Sequence, residues 1–373
     1  MGIYDELGVK CIINGAATLT ALGGSIMPPE VLEAMTEASK SYVPIIELQH
    51  KVGAQIAKWT NNEAAMVSNG AAAGMVLATA ACIAGDDEDK RRALPHTEGM
   101  KNEVLVYGPQ RVGYDFAIHQ AGGKIVEYGS PDGTTEDQLE AAITDKTVGI
   151  FVFYFEHRMD NQLPLEKVVE IAHKRDIPVI VDAAAQLPRR ENLWRFTRDL
   201  GADVALFSGG KGLCGPQSSG LVVGKKEYID RMITFSCPNP GIGRPMKVGK
   251  EEIIGLMTAV KLYMEKDMEA EMECWEAQVQ SVLDAFRDES AVCASRDFPS
   301  EAGQPMPRAK VSMVEGALNA DITQIDNWLK EGQPSIFLAV MGNALYINPQ
   351  TLQPGEMDII IQKIKEAMDK YKK

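Results

Sequence analysis

The chain has no apolar run near the roughly 20 residues that a membrane-spanning helix requires, and from its first residues, with Asp5 and Glu6 and no basic start, no secretory leader is expected. A cytoplasmic location is the expectation. Paired cysteines are missing too. Cys11, Cys82, Cys214, Cys237, Cys274 and Cys293 are scattered without a C-x-x-C pair, so neither a zinc site nor a redox couple is built from them. No metal is expected, and the thiols are expected to be free, as in a reducing compartment. Positive charge is scarce: 38 Lys and Arg against 52 Asp and Glu leave a net charge of -14, which argues against a nucleic-acid partner. Internal repeats and low-complexity tracts are also lacking. What is present is ordinary globular material, 45% hydrophobic and 24% charged over 373 residues, enough for two domains.

From Ala64 onward short apolar runs alternate with helical periodicities. Strands are predicted at 64–67, 103–107, 124–128, 148–155, 178–182, 202–208 and 220–224, with helices at 71–84, 115–121, 135–142 and 165–175 between them. That alternation implies an α/β fold with a mostly parallel seven-stranded sheet. Ahead of it, 28–42 and 45–59 read as amphipathic helices, and the acidic tract 85–90 reads as a solvated loop. After Cys237 a Pro- and Gly-rich linker leads into one long helical stretch at 250–284. Strands at 310–314, 336–340 and 344–347 and a last helix from Gly355 suit a small C-terminal α/β domain. The reading divides the chain into an N-terminal arm, 1–40, a large domain, 41–237, and a linker, long helix and small domain, 238–373.

Three places on this layout carry chemistry. Val179-Ile180-Val181-Asp182 puts a carboxylate at the C-terminal end of an apolar strand, where parallel sheets present ligands; capping the next helix is the plain alternative. Leu206-Phe207-Ser208-Gly209-Gly210-Lys211-Gly212 places a lysine at another strand end, and its glycines suggest a backbone closely approached by something flat or charged. Ser68-Asn69-Gly70-Ala71 opens a helix of small residues, and such a start offers free N–H groups to an anion unless it is merely capped. Together they supply what pyridoxal 5'-phosphate (PLP) asks of a protein: a phosphate cradle, a carboxylate for the pyridine nitrogen and a lysine for the aldehyde. Arg244, Lys247 and Lys250, after the linker, form a candidate clamp for a phosphate. Gln110, Arg111 and Tyr114 lie after the 103–107 strand, where related folds place the group that stacks on a cofactor ring, and Arg158 is a candidate partner for a carboxylate. Gln186 and Arg189 lie just past Asp182, and Asn14 and Thr18 are candidate entrance residues; each also suits a purely structural role.

These residues resemble a known family, the bacterial selenocysteine synthase-like group of fold-type-I PLP enzymes. Ile13-Asn14-Gly15-Ala16 with Leu22-Gly23-Gly24 is similar to its N-terminal signature, Asn62 to Val67 to the strand before its phosphate loop, and Phe207 to Gln217 to its Schiff-base lysine motif. The resemblance implies that Lys211 carries the cofactor, Asp182 holds the pyridinium, Ser208 touches the phosphate from the sheet side, and Gly70 with Ala71 forms its backbone cradle. It also implies at least a homodimer. Selenocysteine synthases have a further N-terminal tRNA-binding domain, whereas this chain starts almost directly on the Asn14 signature. It looks closest to the tRNA-free branch, the ammonia-lyases acting on D-glucosaminate 6-phosphate. The expected reaction is therefore α,β-elimination on an amino sugar acid phosphate, with Lys211 as general base. Other amino acid eliminations, aldol cleavage, racemisation, selenium transfer and a catalytically silent scaffold are the alternatives.

Overall fold

The protein is described by a computed structural model covering residues 2–156, 161–300 and 302–373. Its strands are β1 (Ile12–Gly15), β2 (Ala64–Ser68), β3 (Glu103–Tyr107), β4 (Lys124–Tyr128), β5 (Thr147–Phe153), β6 (Val179–Asp182), β7 (Val204–Ser208), β8 (Gly220–Gly224), β9 (Val292–Asp297), β10 (Arg308–Met313), β11 (Ser335–Met341) and β12 (Ala344–Ile347). Contacts gather these into two compact units, one of Ser25–Lys266 and one of Met1–Gly24 with Asp267–Lys373.

In the larger unit seven strands run in the order β2-β8-β7-β6-β5-β3-β4. All neighbours are parallel except at β8, which is antiparallel to both β2 and β7. Because β8 reverses direction, β2, β7, β6, β5 and β3 all end at one edge of the sheet, and β8 begins there. The Gly70–Ala84 helix is buried along almost its whole length, since its Ala and Gly side chains let it lie flush on the sheet. At Gly74 a Cβ would come within 2.9 Å of the Leu206 side chain. Around it a continuous core includes Met66, Leu77, Phe151, Ile180, Leu206 and Val222. No described helix is long and apolar enough to cross a membrane.

The smaller unit is built on the order β1-β11-β12-β10-β9, with β1 parallel to β11 from Ile12 opposite Ser335 to Gly15 opposite Leu338. Its own core includes Ile13, Val282, Val311, Leu345 and Ile360.

The sheet of the larger unit lies where the sequence predicts it, with strand ends shifted by a residue or two. The units divide elsewhere than at 40 and 237. Residues 1–24 belong with the C-terminal segment because β1 completes that segment's sheet. The Lys250–Glu265 helix stays with the larger unit because it packs on the Pro29–Ser39 and Ile45–Trp59 helices. The predicted long helix at 250–284 is two helices, broken at Lys266, with Asp267 capping the second through the N–H groups of Glu269 and Ala270. The acidic tract is only partly a loop: Asp87 caps a short helix, Glu88–Ala93. Strand β9 and the Lys226–Phe235 helix have no counterpart in the sequence reading.

Candidate active site

The edge where β2, β6 and β7 end gathers the three chemical features. The ladder continues past the strands: Ala183 N–H donates to Leu206 O at 2.9 Å, and Ser208 N–H donates to Ala184 O at 3.4 Å. Asp182 closes β6 and Lys211 lies three residues beyond β7, so neighbouring strand ends present both. The Asp182 carboxylate lies deep among protein atoms, although part of the residue's surface stays open at the sheet edge. Burial raises its pKa above the usual carboxylate value; the Ala184 N–H, donating at 3.0 Å, and the positive charge of Lys211 pull the other way. Among the described residues that N–H is its one hydrogen-bond donor. A cation arriving beside Asp182 would supply what burial withholds.

Lys211 sits on the loop between β7 and β8, held at several points. Gly209 N–H donates to Ser219 O at 2.9 Å, Gly215 N–H to Gly209 O at 2.8 Å, Cys214 N–H to Lys211 O at 2.9 Å, and the Ser25 hydroxyl to Gly210 O at 3.0 Å. The neighbouring glycines are explained by the protein itself rather than by a flat ligand. A Cβ at Gly209 would lie 2.0 Å from Ser219 Oγ, and one at Gly210 would lie 2.6 Å from Gln217 Cα. Ser25 and Ser219 thus help hold the lysine loop, and no local pattern singles them out. Ser208, half-buried, ends β7 at the same edge.

At the end of β2, Gly70 takes a φ of 82°, the left-handed region that favours glycine, and opens the Gly70–Ala84 helix with Ala71. Neither polar neighbour caps that helix. The Ser68 hydroxyl donates to Gly70 O at 2.9 Å and is 3.3 Å from Gly220 O, and Asn69 Nδ2 donates to Lys247 O at 2.9 Å. The first N–H groups are therefore left to an anion, while Ser68 and Asn69 shape the cradle through backbone carbonyls. The Asn69 bond brings the Lys247 backbone to the helix start; the Lys247 and Arg244 residues are exposed. A helix start without a side-chain cap, a sparsely bonded deep carboxylate and a lysine, all on one sheet edge, fit a phosphorylated pyridine aldehyde.

Other predicted residues are placed less directly. Gln110 is buried in the turn after β3. Arg111 beside it is engaged by Asp115 and Glu127, which makes it a tie between β4 and this turn rather than an open anion receptor. Tyr114 is largely exposed. Gln186 is buried past β6, its carbonyl accepting from Asn192 Nδ2 at 2.6 Å, and Arg189 pairs with Glu156 at 2.8 Å. Arg158 lies outside the described residues. Asn14 and Thr18 belong to the smaller unit; Asn14 Nδ2 donates to Ala17 O and its Oδ1 accepts from Ala16 N–H, both at 3.0 Å, which ties down the turn where Ala17 has a φ of 73°.

Comparison with known proteins places the chain among relatives over its full length. The D-glucosaminate-6-phosphate ammonia lyase of Salmonella typhimurium is 31% identical over 98% of both chains. A 5'-C-glycyluridine monooxygenase-decarboxylase of a Streptomyces species is 29% identical over 98% of this chain and 92% of its own. A solved structure of D-glucosaminate-6-phosphate ammonia-lyase superposes with a TM-score of 0.88 at 30% identity, covering 100% of this chain and 99% of that one. The fold is the one shared by type-I PLP enzymes. Residues 12–274 match the family described as L-seryl-tRNA selenium transferase, and with that span, the whole of the larger unit and β1 besides, the chain belongs to this family.

Proposed function

We propose that the chain is a PLP-dependent lyase that removes ammonia from an amino sugar acid phosphate of the D-glucosaminate 6-phosphate kind, leaving a 2-keto-3-deoxy acid phosphate. The likeness to the ammonia-lyases supports the substrate class. The observation that carries the reading is the single sheet edge on which Gly70, Asp182 and Lys211 meet. When bound, the cofactor supplies an aldehyde for amines and a ring that draws in the electron pair left when a substrate carbon loses its proton.

The chain's own residues do the rest. Gly70 and Ala71 N–H groups would hold the phosphate at the positive end of the helix. Asp182 would hold the ring nitrogen in its protonated form, and that positive charge would offset the desolvation that raises the pKa of Asp182. Lys211, the amine that would hold the cofactor aldehyde, would also be the base that takes the proton from the carbon bearing the substrate nitrogen. Water leaves from the neighbouring carbon and is regained when the nitrogen is hydrolysed away, so the net change is loss of ammonia. Ser208, Gln110 and Gln186 line the cofactor, and Arg244 and Lys247 meet the substrate phosphate. The working unit is a homodimer or larger homo-oligomer in the cytoplasm, with exposed Leu32, Tyr42 and Phe116 offering apolar surface for association.

The test is a visible spectrum of the purified protein, followed by assay of ammonia and keto acid from D-glucosaminate 6-phosphate. A colourless protein that takes up no PLP would end the reading. Oxygen uptake without keto acid release would shift it toward the chemistry named for the Streptomyces relative.

A further inference from the structure

Strand β2 is the outer strand of the seven-stranded sheet and pairs with β8 on one side only. The Ile45–Trp59 helix covers its other side. Contact is close enough that a Cβ at Gly53 would lie 2.0 Å from the Ala65 carbonyl oxygen. One helical turn earlier stands Gln49, fully buried at 0% exposure. Its Nε2 donates to Val67 O at 2.5 Å, and its Oε1 accepts from Val67 N–H at 3.1 Å. Antiparallel strands alternate residues facing toward and away from the partner, so Ala65 and Val67 turn their backbone groups outward, to the helix. A side-chain amide carries both a donor and an acceptor, as a peptide group does. Gln49 therefore acts as a one-residue strand partner at the end of β2.

The segment that β2 leads into gives this pairing a functional meaning. Ser68 comes directly after Val67, and Gly70 begins the helix whose N–H groups form the anion cradle. That cradle is held on its inner side by β8: a Cβ at Gly220 would lie 2.5 Å from the Gly70 carbonyl carbon, and the Ser68 hydroxyl bonds Gly70 O. On its outer side, among the described residues, the last polar hold on β2 is Gln49, which grips Val67 three residues before Gly70. Edge protection alone needs only a charge, a proline or a cover. A fully buried amide matched to both groups of one residue does more, because it sets where that residue sits along and across the edge.

We propose that Gln49 is a positioning residue for phosphate binding: by pairing with both backbone groups of Val67 it fixes the end of β2, and thereby the N–H groups of Gly70 and Ala71 that receive the cofactor phosphate. This rests on the cofactor reading above. The experiment uses the full chain, stripped of cofactor and titrated by absorbance with PLP and, separately, with pyridoxal, which has the same ring and aldehyde but no phosphate. Gln49→Met removes both polar groups at similar length; Gln49→Glu, held protonated by burial, keeps an acceptor for Val67 N–H and a hydroxyl donor for Val67 O in place of the amide. In the Met variant affinity for PLP should fall by about tenfold while that for pyridoxal stays within about twofold. The Glu variant should show a smaller change of the same kind, and it carries the test if the Met variant does not fold. A lower melting temperature with an unchanged ratio of PLP to pyridoxal affinity would overturn the proposal and leave Gln49 a residue of the sheet edge alone. Wild-type protein that takes up no PLP would end the cofactor reading along with it; wild-type uptake with equal losses for both aldehydes in the variants would end this proposal only.

Discussion

Two aspartates lie at opposite ends of neighbouring strands in the larger unit, and their surroundings differ. Asp203, 2% exposed, precedes β7 at the edge away from the candidate site. It accepts from Val179 N–H at 2.7 Å, faces His173 Nε2 at 2.9 Å and pairs with Lys225 at 2.6 Å. Its hydrogen-bonding capacity is filled by the fold. Asp182, at the other end of β6, has one backbone N–H and the more distant pull of Lys211, and burial prevails. A carboxylate saturated by its own protein is a structural tie; one left short of partners at a ligand-binding edge is poised for a cation from outside.

The contrast can be broken at four points. Lys211→Ala should have the largest effect, lowering turnover at least about a thousandfold and removing the visible band of the lysine-bound cofactor; retained activity would dissolve the proposed site. Asp182→Asn should lower turnover by about a hundredfold or more, yet leave the cofactor-free protein as stable at pH 8 or more so. The sign comes from the raised folded pKa of Asp182: its favourable contribution is complete below the unfolded value and is lost as pH rises through the folded one. Melting curves against pH should show that loss in the cofactor-free wild type and not in the Asn variant. Asp203→Ala should do the reverse. Leaving Val179 N–H buried and unmatched, it should destabilise the fold by about 2–4 kcal/mol in denaturant melts while the folded fraction binds cofactor as before. Arg111→Met, which removes a partly exposed tie to Asp115 and Glu127, should be smallest, costing about 1 kcal/mol and leaving KM unchanged; a raised KM would return Arg111 to the substrate.

Much of this was legible along the chain because parallel sheets have a simple sequence form. Short apolar runs alternating with helical segments read as inner strands, and the residues just past their C-terminal ends stand at the ligand edge. The places of Asp182, Lys211 and Gly70 at or just past strand ends were legible that way. Gln49 was not, because a glutamine on an amphipathic helix reads as surface, and only the fold brings it to Val67, 18 residues on. The glycines at 209 and 210 were visible but misread, since close approach by Ser219 and Gln217 leaves the same mark as close approach by a ligand. The membership of residues 1–24 was hidden for a further reason: β1 and β11 pair across more than 300 residues, and a four-residue strand carries no sign of where its partner lies.

The sequence by itself determined the alternation of strands and helices that builds the seven-stranded sheet and the residue types at the strand ends, because hydrophobic periodicity and turn chemistry are local properties of a chain. Which buried carboxylate is satisfied, which helix start is left uncapped and which side chain completes an edge strand were decided only by the tertiary structure, because hydrogen-bond satisfaction depends on neighbours that are distant along the chain.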